Sequence, residues 1–289
     1  MPELAALESS QDGWQARLEL RLESVQGRTR LVHCRHSGPL RVQRAFFPER
    51  PAPGTAAAEP CHIYVLHPPG GLVSGDALQI EVECRARAHA LLTTPAAGKF
   101  YRQHGPRVAQ VTQELRLDGS TLEWLPQENI YYPDSAVRLC TRVSLDPSAR
   151  FIGWELHCLG LPAIGAGLDR GALRTTLELW LGGQPLLLER LALEGESLSA
   201  RWGLANFPAF GTCLAYPARA EDLERVRTMA SSLNCAELIV ACTIVDGVLC
   251  CRGLAQRVDQ LKRAFIELWR ALRPVMLGRE AVAPRIWAT

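Results

Sequence analysis

The sequence predicts a mainly β protein, built as stacked sheets or as a solenoid-like β domain, with two C-terminal helices and a small hairpin. Many short segments alternate apolar and polar residues, as half-buried strands do. Strands and helices do not alternate along the chain, which argues against a doubly wound fold. Helical spacing of apolar residues is confined to the last third of the 289 residues.

One domain over residues 1–289 is expected, with a β-rich body over residues 14–204 and an α/β segment over residues 205–289. Residues 1–13 are expected to be a frayed start. Glu49–Pro60 is rich in Pro and Ala, and we expect an exposed loop there. The strands predicted for the body are residues 14–23, 29–36, 61–66, 77–82, 88–94, 108–117, 121–125, 137–145, 151–159 and 186–193.

The C-terminal segment contains both predicted helices. Apolar residues recur at helical spacing in Ala218–Leu233 and again in Leu254–Leu272, where Pro274 is expected to end the helix. Between the helices, residues 237–252 read as a hairpin around the two-residue turn Asp246-Gly247. Trp287 lies so near the end of the sequence that a docked indole is the simplest expectation.

Composition limits which classes of partner the protein is expected to bind and in which cellular compartment it is expected to lie. The net charge is +2 without a long basic run, which argues against nucleic acid as a partner. No uncharged apolar run approaches the roughly 18 residues of a membrane span. The first residues, Met1–Leu4, lack the basic and apolar pattern of a secretory signal, so the ten cysteines are expected to be free thiols in a cytoplasmic protein.

The turn His67–Asp76 is the most distinctive segment of the sequence. It runs His-Pro-Pro-Gly-Gly-Leu-Val-Ser-Gly-Asp between two predicted strands. Its prolines favour an extended backbone, and its glycines permit positive φ or a close backbone approach. Asp76 either caps backbone N–H groups of this turn or points inward as a metal ligand. No Gly-Lys-Ser/Thr follows, so the turn is not a phosphate loop.

Two further carboxylates lie on otherwise apolar strand faces. Glu155 and His157 share one face of the strand Phe151–Leu159, because successive side chains of a strand alternate. Glu189 shares its face with three leucines of Leu186–Leu193. A carboxylate in such a place is costly unless it is paired, hydrated or bound to a cation. Two interpretations stay open: internal salt bridges with arginine, or an internal polar path that carries a divalent cation.

Motifs of common enzymes are missing from the sequence. There is no Gly-x-Ser-x-Gly, no His-Glu-x-x-His, and no Cys/His cluster with zinc spacing. This absence favours a binding or assembly protein over an enzyme. A β-rich hydrolase with a scattered Ser, His and Asp triad is the alternative from another class.

Several segments, in order along almost the whole chain, resemble the UreD (UreH) family of urease accessory proteins. The resemblance rests on residues 39–44, 66–76, 99–102 (Lys-Phe-Tyr-Arg), 123–127 (Glu-Trp-Leu-Pro-Gln), 272–274 and 284–287 (Pro-Arg-Ile-Trp). One departure occurs in the loop after residue 159. Where the family pattern has Gly-Arg-Pro-x-x-Gly-Glu, Leu161 replaces the Arg and Ala166 replaces the Glu.

The resemblance implies a non-enzymatic chaperone of urease maturation with a mainly β fold. Such a protein binds the urease apoenzyme, UreF and the GTPase UreG, and assists nickel insertion. It also implies an internal nickel tunnel, with nickel in transit and no permanently bound cofactor. Asp76, Glu155 and Glu189 are the metal-contacting residues expected on this path. The alternative within the family is a pure scaffold whose acids are all salt-bridged.

Overall fold

The computed structural model describes residues 13–49, 58–85, 87–168 and 170–288. The expected frayed start falls almost entirely outside these ranges. The helices are α1 (Ala220–Leu233) and α2 (Val258–Leu277), with 3₁₀ turns at Pro162–Ile164, Gly195–Leu198 and Arg285–Ala288. The strands are β1 (Gln15–Val25), β2 (Arg28–Ser37), β3 (Arg41–Val42), β4 (Cys61–Leu66), β5 (Ala77–Arg85), β6 (His89–Thr93), β7 (Gly98–Phe100), β8 (Ala109–Leu117), β9 (Thr121–Trp124), β10 (Asn129–Tyr131), β11 (Ala136–Leu145), β12 (Arg150–Leu159), β13 (Ala172–Leu181), β14 (Gln184–Leu193), β15 (Ala209–Tyr216), β16 (Leu238–Val245) and β17 (Val248–Ala255).

These strands form two mixed sheets, which confirms the mainly β fold with two C-terminal helices and a hairpin. The first sheet has the order β14-β13-β11-β8-β5-β1-β2. The second has the order β16-β17-β15-β12-β9-β6-β4-β3, with β10 beside β12 and β7 beside β10. Asp246 and Gly247 both have positive φ in the turn between β16 and β17, as a two-residue hairpin turn requires.

The chain winds between the two sheets like a solenoid from β4 to β13. In the second sheet, β4, β6, β9 and β12 are successive parallel neighbours. In the first, β5, β8, β11 and β13 follow in the same way. Each coil therefore adds one strand to each sheet. The two stacked sheets form the opposite walls of one solenoid.

Apolar side chains fill the space between the sheets and a second space beneath the helices. Leu20, Val82 and Leu115 belong to the core between the sheets. The opposite face of the second sheet packs on α1 and α2, with Trp154 of β12 near Phe265 of α2 at a ring separation of 6.4 Å. Strand β12 is thus buried on both faces, which is why its polar residues need partners inside the protein.

Two local expectations are wrong. The second helix begins at Val258, because residues up to Ala255 pair with β15, and it continues through Pro274 to Leu277. A proline removes only one donor this close to a helix end, and the N–H of Gly278 donates to the carbonyl of Pro274 at 3.0 Å. In the expected exposed loop, Glu49 is buried, and residues 50–57 lie outside the described residues.

Trp287 is docked, as expected. Its ring centroid lies 5.8 Å from that of Trp154 and 5.7 Å from that of Trp269. Its indole N–H donates to the hydroxyl of Thr93 at 2.9 Å. The end of the described chain therefore packs onto the helix-covered face of the second sheet.

A buried ionic cluster joins α2 to this sheet. Arg273 is fully buried and donates to Glu123 at 2.9 Å and to Glu49 at 2.5 Å. His89 lies 2.7 Å from Glu123, and His62 lies 2.8 Å from Glu49. Burial alone would raise the pKa of both carboxyls. The charge of Arg273 and the hydrogen bonds from the histidines outweigh this effect of burial. The pKa of Glu123 therefore falls to about 2, and the pKa of Glu49 is also lowered.

Replacing Arg273 by methionine should destabilise the chain by about 3–5 kcal/mol, because two buried carboxylates lose their common cation. Urea denaturation followed by circular dichroism measures the change. Arg270→Met is the matched control, since Arg270 is on the same helix with an exposed side chain and an i,i+3 partner. It should change the unfolding free energy by less than about 0.5 kcal/mol. Equal effects of the two substitutions would contradict the role assigned to the cluster.

The unfolding free energy should also decline as the pH falls from 5 towards 3. The pKa of Glu123 is about 2 in the folded chain against an ordinary value of 4.5. Its contribution is therefore fully present above that ordinary value and is lost as the pH falls towards 2. Urea denaturation at several pH values tests this. Glu123→Gln should be less stable at neutral pH and show a shallower decline; an unchanged slope would refute the assignment.

Candidate functional site

Three of the segments that mark the family resemblance lie at one end of the solenoid. Residues 66–76, 99–102 and 123–127 lie where successive coils pass from the second sheet to the first. The N–H of Leu72 donates to the carbonyl of Lys99 at 2.8 Å, and that of Tyr101 donates back to Leu72 at 2.9 Å. One coil further, β7 pairs with β10, which in turn pairs with β12. Sequence segments tens of residues apart thus form one surface.

Asp76 caps the turn that begins at His67. One carboxylate oxygen accepts the N–H of Trp14 at 2.8 Å, and the other accepts the N–H of Val73 at 2.8 Å. This geometry corresponds to the capping alternative for Asp76. The carboxylate also lies near His67, where its charge partly offsets the lowering of the imidazole pKa by burial. His67 therefore favours its neutral form, which is the form that binds metal ions.

Glycine at position 71 leaves room for a close contact with the half-exposed ring of Tyr101 in the next coil. A Cβ there would lie 2.2 Å from Cε2 of Tyr101, far inside van der Waals distance. Tyr101 in turn meets the ring of Tyr132 edge-on at 4.9 Å. The glycine of the turn thus permits the tight stacking of the loops.

A cavity of about 210 Å³ extends from these loops into the space between the sheets. His67, Gly70 and Lys99 line it on the loop side, and Gln113 and Glu155 line it on the strand side. Most of the remaining wall is apolar. The residues that complete the lining are Leu40, Val65, Leu72, Leu78, Ile80, Thr94, Pro95, Ala96, Ala97, Gly98, Phe100, Val111, Trp124, Pro126, Gln127 and Asn129.

Glu155 is buried between the sheets with few compensating partners. The hydroxyl of Thr141 donates to Oε1 of Glu155 at 2.5 Å. Nε2 of His157 lies 3.5 Å from Oε2. Among the described residues, no arginine or lysine forms an ion pair with this carboxylate. Its buried charge therefore lacks a full counter-ion within the described chain.

His157 is oriented by an aromatic column that crosses the coils. Tyr131 stacks on Phe100 at 5.0 Å and on His157 at 5.8 Å, and His157 stacks on Phe210 at 4.5 Å. Burial raises the pKa of Tyr131 well above its usual value, so its hydroxyl keeps its proton, and the hydroxyl oxygen lies 2.9 Å from Nδ1 of His157. The imidazole tautomer decides which of these two groups donates the hydrogen bond.

Glu189 reaches the same region from the first sheet. Its carboxylate accepts the hydroxyl of Thr212 at 2.7 Å and pairs with Arg252 at 2.5 Å. Thr212 is also the direct cross-strand neighbour of Glu155. Glu155 and Glu189 are therefore separated by one threonine, whereas Asp76 belongs to the turn between β4 and β5. For Glu189, the salt-bridge interpretation describes the geometry.

Sequence reasoning missed Thr141 and Thr212, which donate to Glu155 and Glu189, and Tyr131, which hydrogen-bonds His157. Each lies in a strand where its residue type is common, so nothing local distinguishes it. Within the described ranges, no three His, Cys, Asp or Glu side chains converge in a way that could hold a metal ion. Glu155 and His157 offer two groups, which is a weak site by metal-binding standards.

The departure at Leu161 and Ala166 has a simple geometry. The two residues face each other across an isolated bridge, with the N–H of Leu161 donating to the carbonyl of Ala166 at 2.6 Å. An arginine and a glutamate at these positions would form a cross-strand pair. Replacement of both leaves no unpaired charge. Gly160 is required here, since a Cβ would lie 2.2 Å from the carbonyl oxygen of Ala166.

Comparisons with known proteins agree on one family. The family model described as "UreD urease accessory protein" matches residues 15–288. A urease accessory protein UreD of Pseudomonas putida is 43% identical over 278 residues, covering 96% of this chain and 95% of the relative. The one of Klebsiella aerogenes is 42% identical, covering 96% and 97%, and that of Alcanivorax borkumensis is 40% identical, covering 96% and 93%.

The matched family and relatives place the chain in the class of accessory proteins rather than enzymes. The chain belongs to the UreD family of urease accessory proteins. In the described part of the chain, neither helix combines the length and the apolar character needed to cross a bilayer.

Replacing Asp76 by alanine should lower the unfolding free energy by about 1–2 kcal/mol, because two backbone N–H groups lose their acceptor. Asp76→Asn keeps one acceptor oxygen and should recover part of the loss. Asp259→Ala serves as control, since this aspartate is half exposed and bonds an exposed arginine. Urea denaturation measures all three, and equal stabilities of the Asp76→Ala and Asp259→Ala chains would contradict the capping role.

Proposed function

We propose that the chain is a non-enzymatic chaperone of urease maturation that binds the urease apoenzyme, UreF and UreG, and through which nickel passes in transit. The observation that supports nickel transit most directly is Glu155. It is a buried carboxylate at the inner side of a cavity and has no arginine or lysine ion-pair partner among the described residues. The cavity opens on the loops that carry the family motifs.

A divalent cation beside Glu155 would neutralise its carboxylate, which has no arginine or lysine partner among the described residues. A buried carboxylate without a counter-ion is costly, and a bound cation offsets that cost. In the tautomer that carries the ring proton on Nδ1, where the hydroxyl oxygen of Tyr131 would accept it, Nε2 of His157 would offer its lone pair to Ni²⁺, and imidazole suits nickel. Two protein ligands would bind Ni²⁺ weakly enough to release it, and an ion in transit must be released.

The order of groups suggests a direction through the protein. His67, held near Asp76, lies at the loop side of the cavity. Glu155 and His157 follow between the sheets, and Thr212 leads from them to Glu189. In this path Asp76 shapes the entrance, since its oxygens already accept backbone N–H groups, and any contact it makes with the metal uses its remaining lone pairs.

The partners UreF, UreG and urease apoenzyme are proposed from the family. Hydrolysis of GTP would belong to UreG, because this sequence has no phosphate loop. Cytoplasmic location follows from the same proposal, since assembly of a nickel enzyme needs its accessory proteins in the compartment where the enzyme folds.

The pure scaffold is the second candidate, and the ion pair of Glu189 with Arg252 favours it. A salt-bridged carboxylate offers less to a passing cation than a free one. The scaffold interpretation is weakest at Glu155, whose partners among the described residues are a hydroxyl and a histidine. A substitution of Glu155 therefore distinguishes nickel transit from the pure scaffold.

Replacing Glu155 by glutamine should lower the nickel content and activity of urease several-fold while the accessory complex still assembles. Glutamine keeps the size of the side chain and removes the charge. Urease is co-produced with the accessory proteins, and nickel per urease active site is measured by mass spectrometry of the metal. Glu189→Gln should have a smaller effect, because Arg252 already compensates its charge.

Glu178→Gln is the matched control for this experiment. Glu178 is equally buried on β13, but it is paired with Arg142 and Arg190 and does not line the cavity. Normal nickel loading with Glu155→Gln would eliminate the path and leave the scaffold. Failure of the unaltered chain to co-purify with UreF, UreG or urease would instead refute the binding role.

A further inference from the structure

Three cysteines lie side by side in one row of the second sheet, and each is a free thiol. Cys213 of β15 is the cross-strand neighbour of Cys251 of β17, and Cys251 is in turn the cross-strand neighbour of Cys242 of β16. All three side chains belong to the apolar core beneath the helices. Cys250, which precedes Cys251 in sequence, belongs to the core between the sheets instead.

The hydrogen-bonding register distinguishes the two neighbours of Cys251. The N–H of Gln256 donates to the carbonyl of Glu237 at 2.9 Å, so these residues form a hydrogen-bonded pair. Hydrogen-bonded and non-hydrogen-bonded pairs alternate along an antiparallel ladder. Cys242 and Cys251 lie five positions further along and are therefore a non-hydrogen-bonded pair. The peptide groups of Cys251 point towards β15, so Cys213 and Cys251 form a hydrogen-bonded pair.

The distance between opposite side chains favours a bond between Cys242 and Cys251. Opposite Cβ atoms in antiparallel strands are about 4.5–5.5 Å apart, and they are closest in non-hydrogen-bonded pairs. A disulfide needs Cβ atoms about 3.5–4.5 Å apart. The thiol of Cys251 already donates a hydrogen bond to the sulfur of Cys242. A disulfide between these two residues therefore needs little movement, whereas Cys213 lies on the wider side.

Cys242 is the member of the pair that reacts first with an oxidant. It is 6% exposed, and Cys251 is 0% exposed. Nε of Arg227 on α1 donates to the carbonyl of Cys242 at 3.2 Å, which places a guanidinium beside it. The hydrogen bond from Cys251, and then the charge of Arg227, lower the pKa of Cys242, although burial opposes them. That hydrogen bond and burial raise the pKa of Cys251, so Cys242 is the thiolate and the nucleophile.

We propose that Cys242 and Cys251 form a reversible cross-strand disulfide when the chain reacts with a hydroperoxide. The thiolate of Cys242 attacks one oxygen of hydrogen peroxide, the O–O bond breaks, hydroxide leaves, and Cys242 becomes a sulfenic acid. The sulfur of Cys251 then attacks that sulfur, the S–O bond breaks, and the hydroxide leaves with the proton of Cys251 as water. In total the two thiols lose two electrons and two protons, and the peroxide becomes two molecules of water.

The neighbouring thiol protects Cys242 from irreversible oxidation. A sulfenic acid without a partner thiol is open to further oxidation to sulfinic acid, which thiols do not reduce, whereas a disulfide is reduced by thiol exchange. Both strands are already paired at this register, so the hairpin keeps its geometry when the bond forms. The chain therefore keeps its fold in both oxidation states.

Cleavage at three sites tests the bond. Trypsin cuts after Arg227 and Arg252, and endoproteinase Asp-N cuts before Asp246, which leaves the peptides 228–245 and 246–252. The full chain is treated with a small excess of hydrogen peroxide, free thiols are blocked with N-ethylmaleimide in denaturant, and the digest is analysed by mass spectrometry. The two peptides should appear joined and about 2 Da lighter than their sum, and dithiothreitol before blocking should separate them.

Alanine substitutions identify the two sulfurs. Cys242→Ala and Cys251→Ala should each lower the yield of joined peptides at least about tenfold, because each removes one half of the bond. Cys250→Ala is the matched control, since Cys250 is equally buried but belongs to the other core. Cys213→Ala tests the other neighbour, and both controls should stay within about twofold of the unaltered chain. Circular dichroism verifies folding, and fragmentation of the joined peptides from the unaltered chain identifies the bonded residues without any variant.

Three results would overturn the proposal. The first is the absence of joined peptides at a peroxide concentration that oxidises the exposed Cys34. The second is a bond that persists in the Cys242→Ala or Cys251→Ala chain, which would assign it to other thiols. The third is joined peptides found only in covalent dimers on non-reducing electrophoresis, which would place the bond between two chains. Each of these results leaves the proposed role in urease maturation intact.

Discussion

The interaction on which the rest of this structure depends is the burial of Arg273 between Glu49 and Glu123. It joins three parts of the chain that are distant in sequence: the segment before β4, the strand β9 and the helix α2. Charged groups removed from water are stable only while every partner is present. The cluster therefore makes the position of the helix, the sheet and the segment around Glu49 mutually dependent. This cluster and the apolar core beneath the helices together hold the helix-covered side of the molecule.

The buried carboxylates differ in how completely the protein neutralises them. Glu123 has a buried arginine, a histidine and an indole N–H from Trp269 at 2.6 Å. Glu189 has one arginine and one hydroxyl. Glu155 has a hydroxyl and a more distant imidazole. Compensation thus decreases from the helix side of the second sheet towards the space between the sheets. Glu123 thus ties α2 to the second sheet, whereas Glu155 borders the cavity.

Local pattern predicted much of the fold, and long-range contacts account for most of the failures. Strands with one apolar face, such as β8 and β11, were predicted from alternation. Strand β15 was not, because both of its faces are buried and the alternation disappears. The period of two predicted apolar strand faces for Glu155 and Glu189. In the structure Glu155 is buried between the sheets, and Glu189 is half-buried on the edge strand β14, where it contacts Thr212. Glu49 was assigned to an exposed loop, since its partner Arg273 lies 224 residues away and no nearby residue indicates it.

Trp287, near the end of the described chain, has an optical consequence. Its ring centroid lies 5.8 Å from that of Trp154 and 5.7 Å from that of Trp269. Aromatic rings held this closely in a chiral environment couple their electronic transitions, whereas Trp202 is 76% exposed. Near-ultraviolet circular dichroism therefore carries a signal from this cluster, and that signal reports whether the final turn is docked on the sheet.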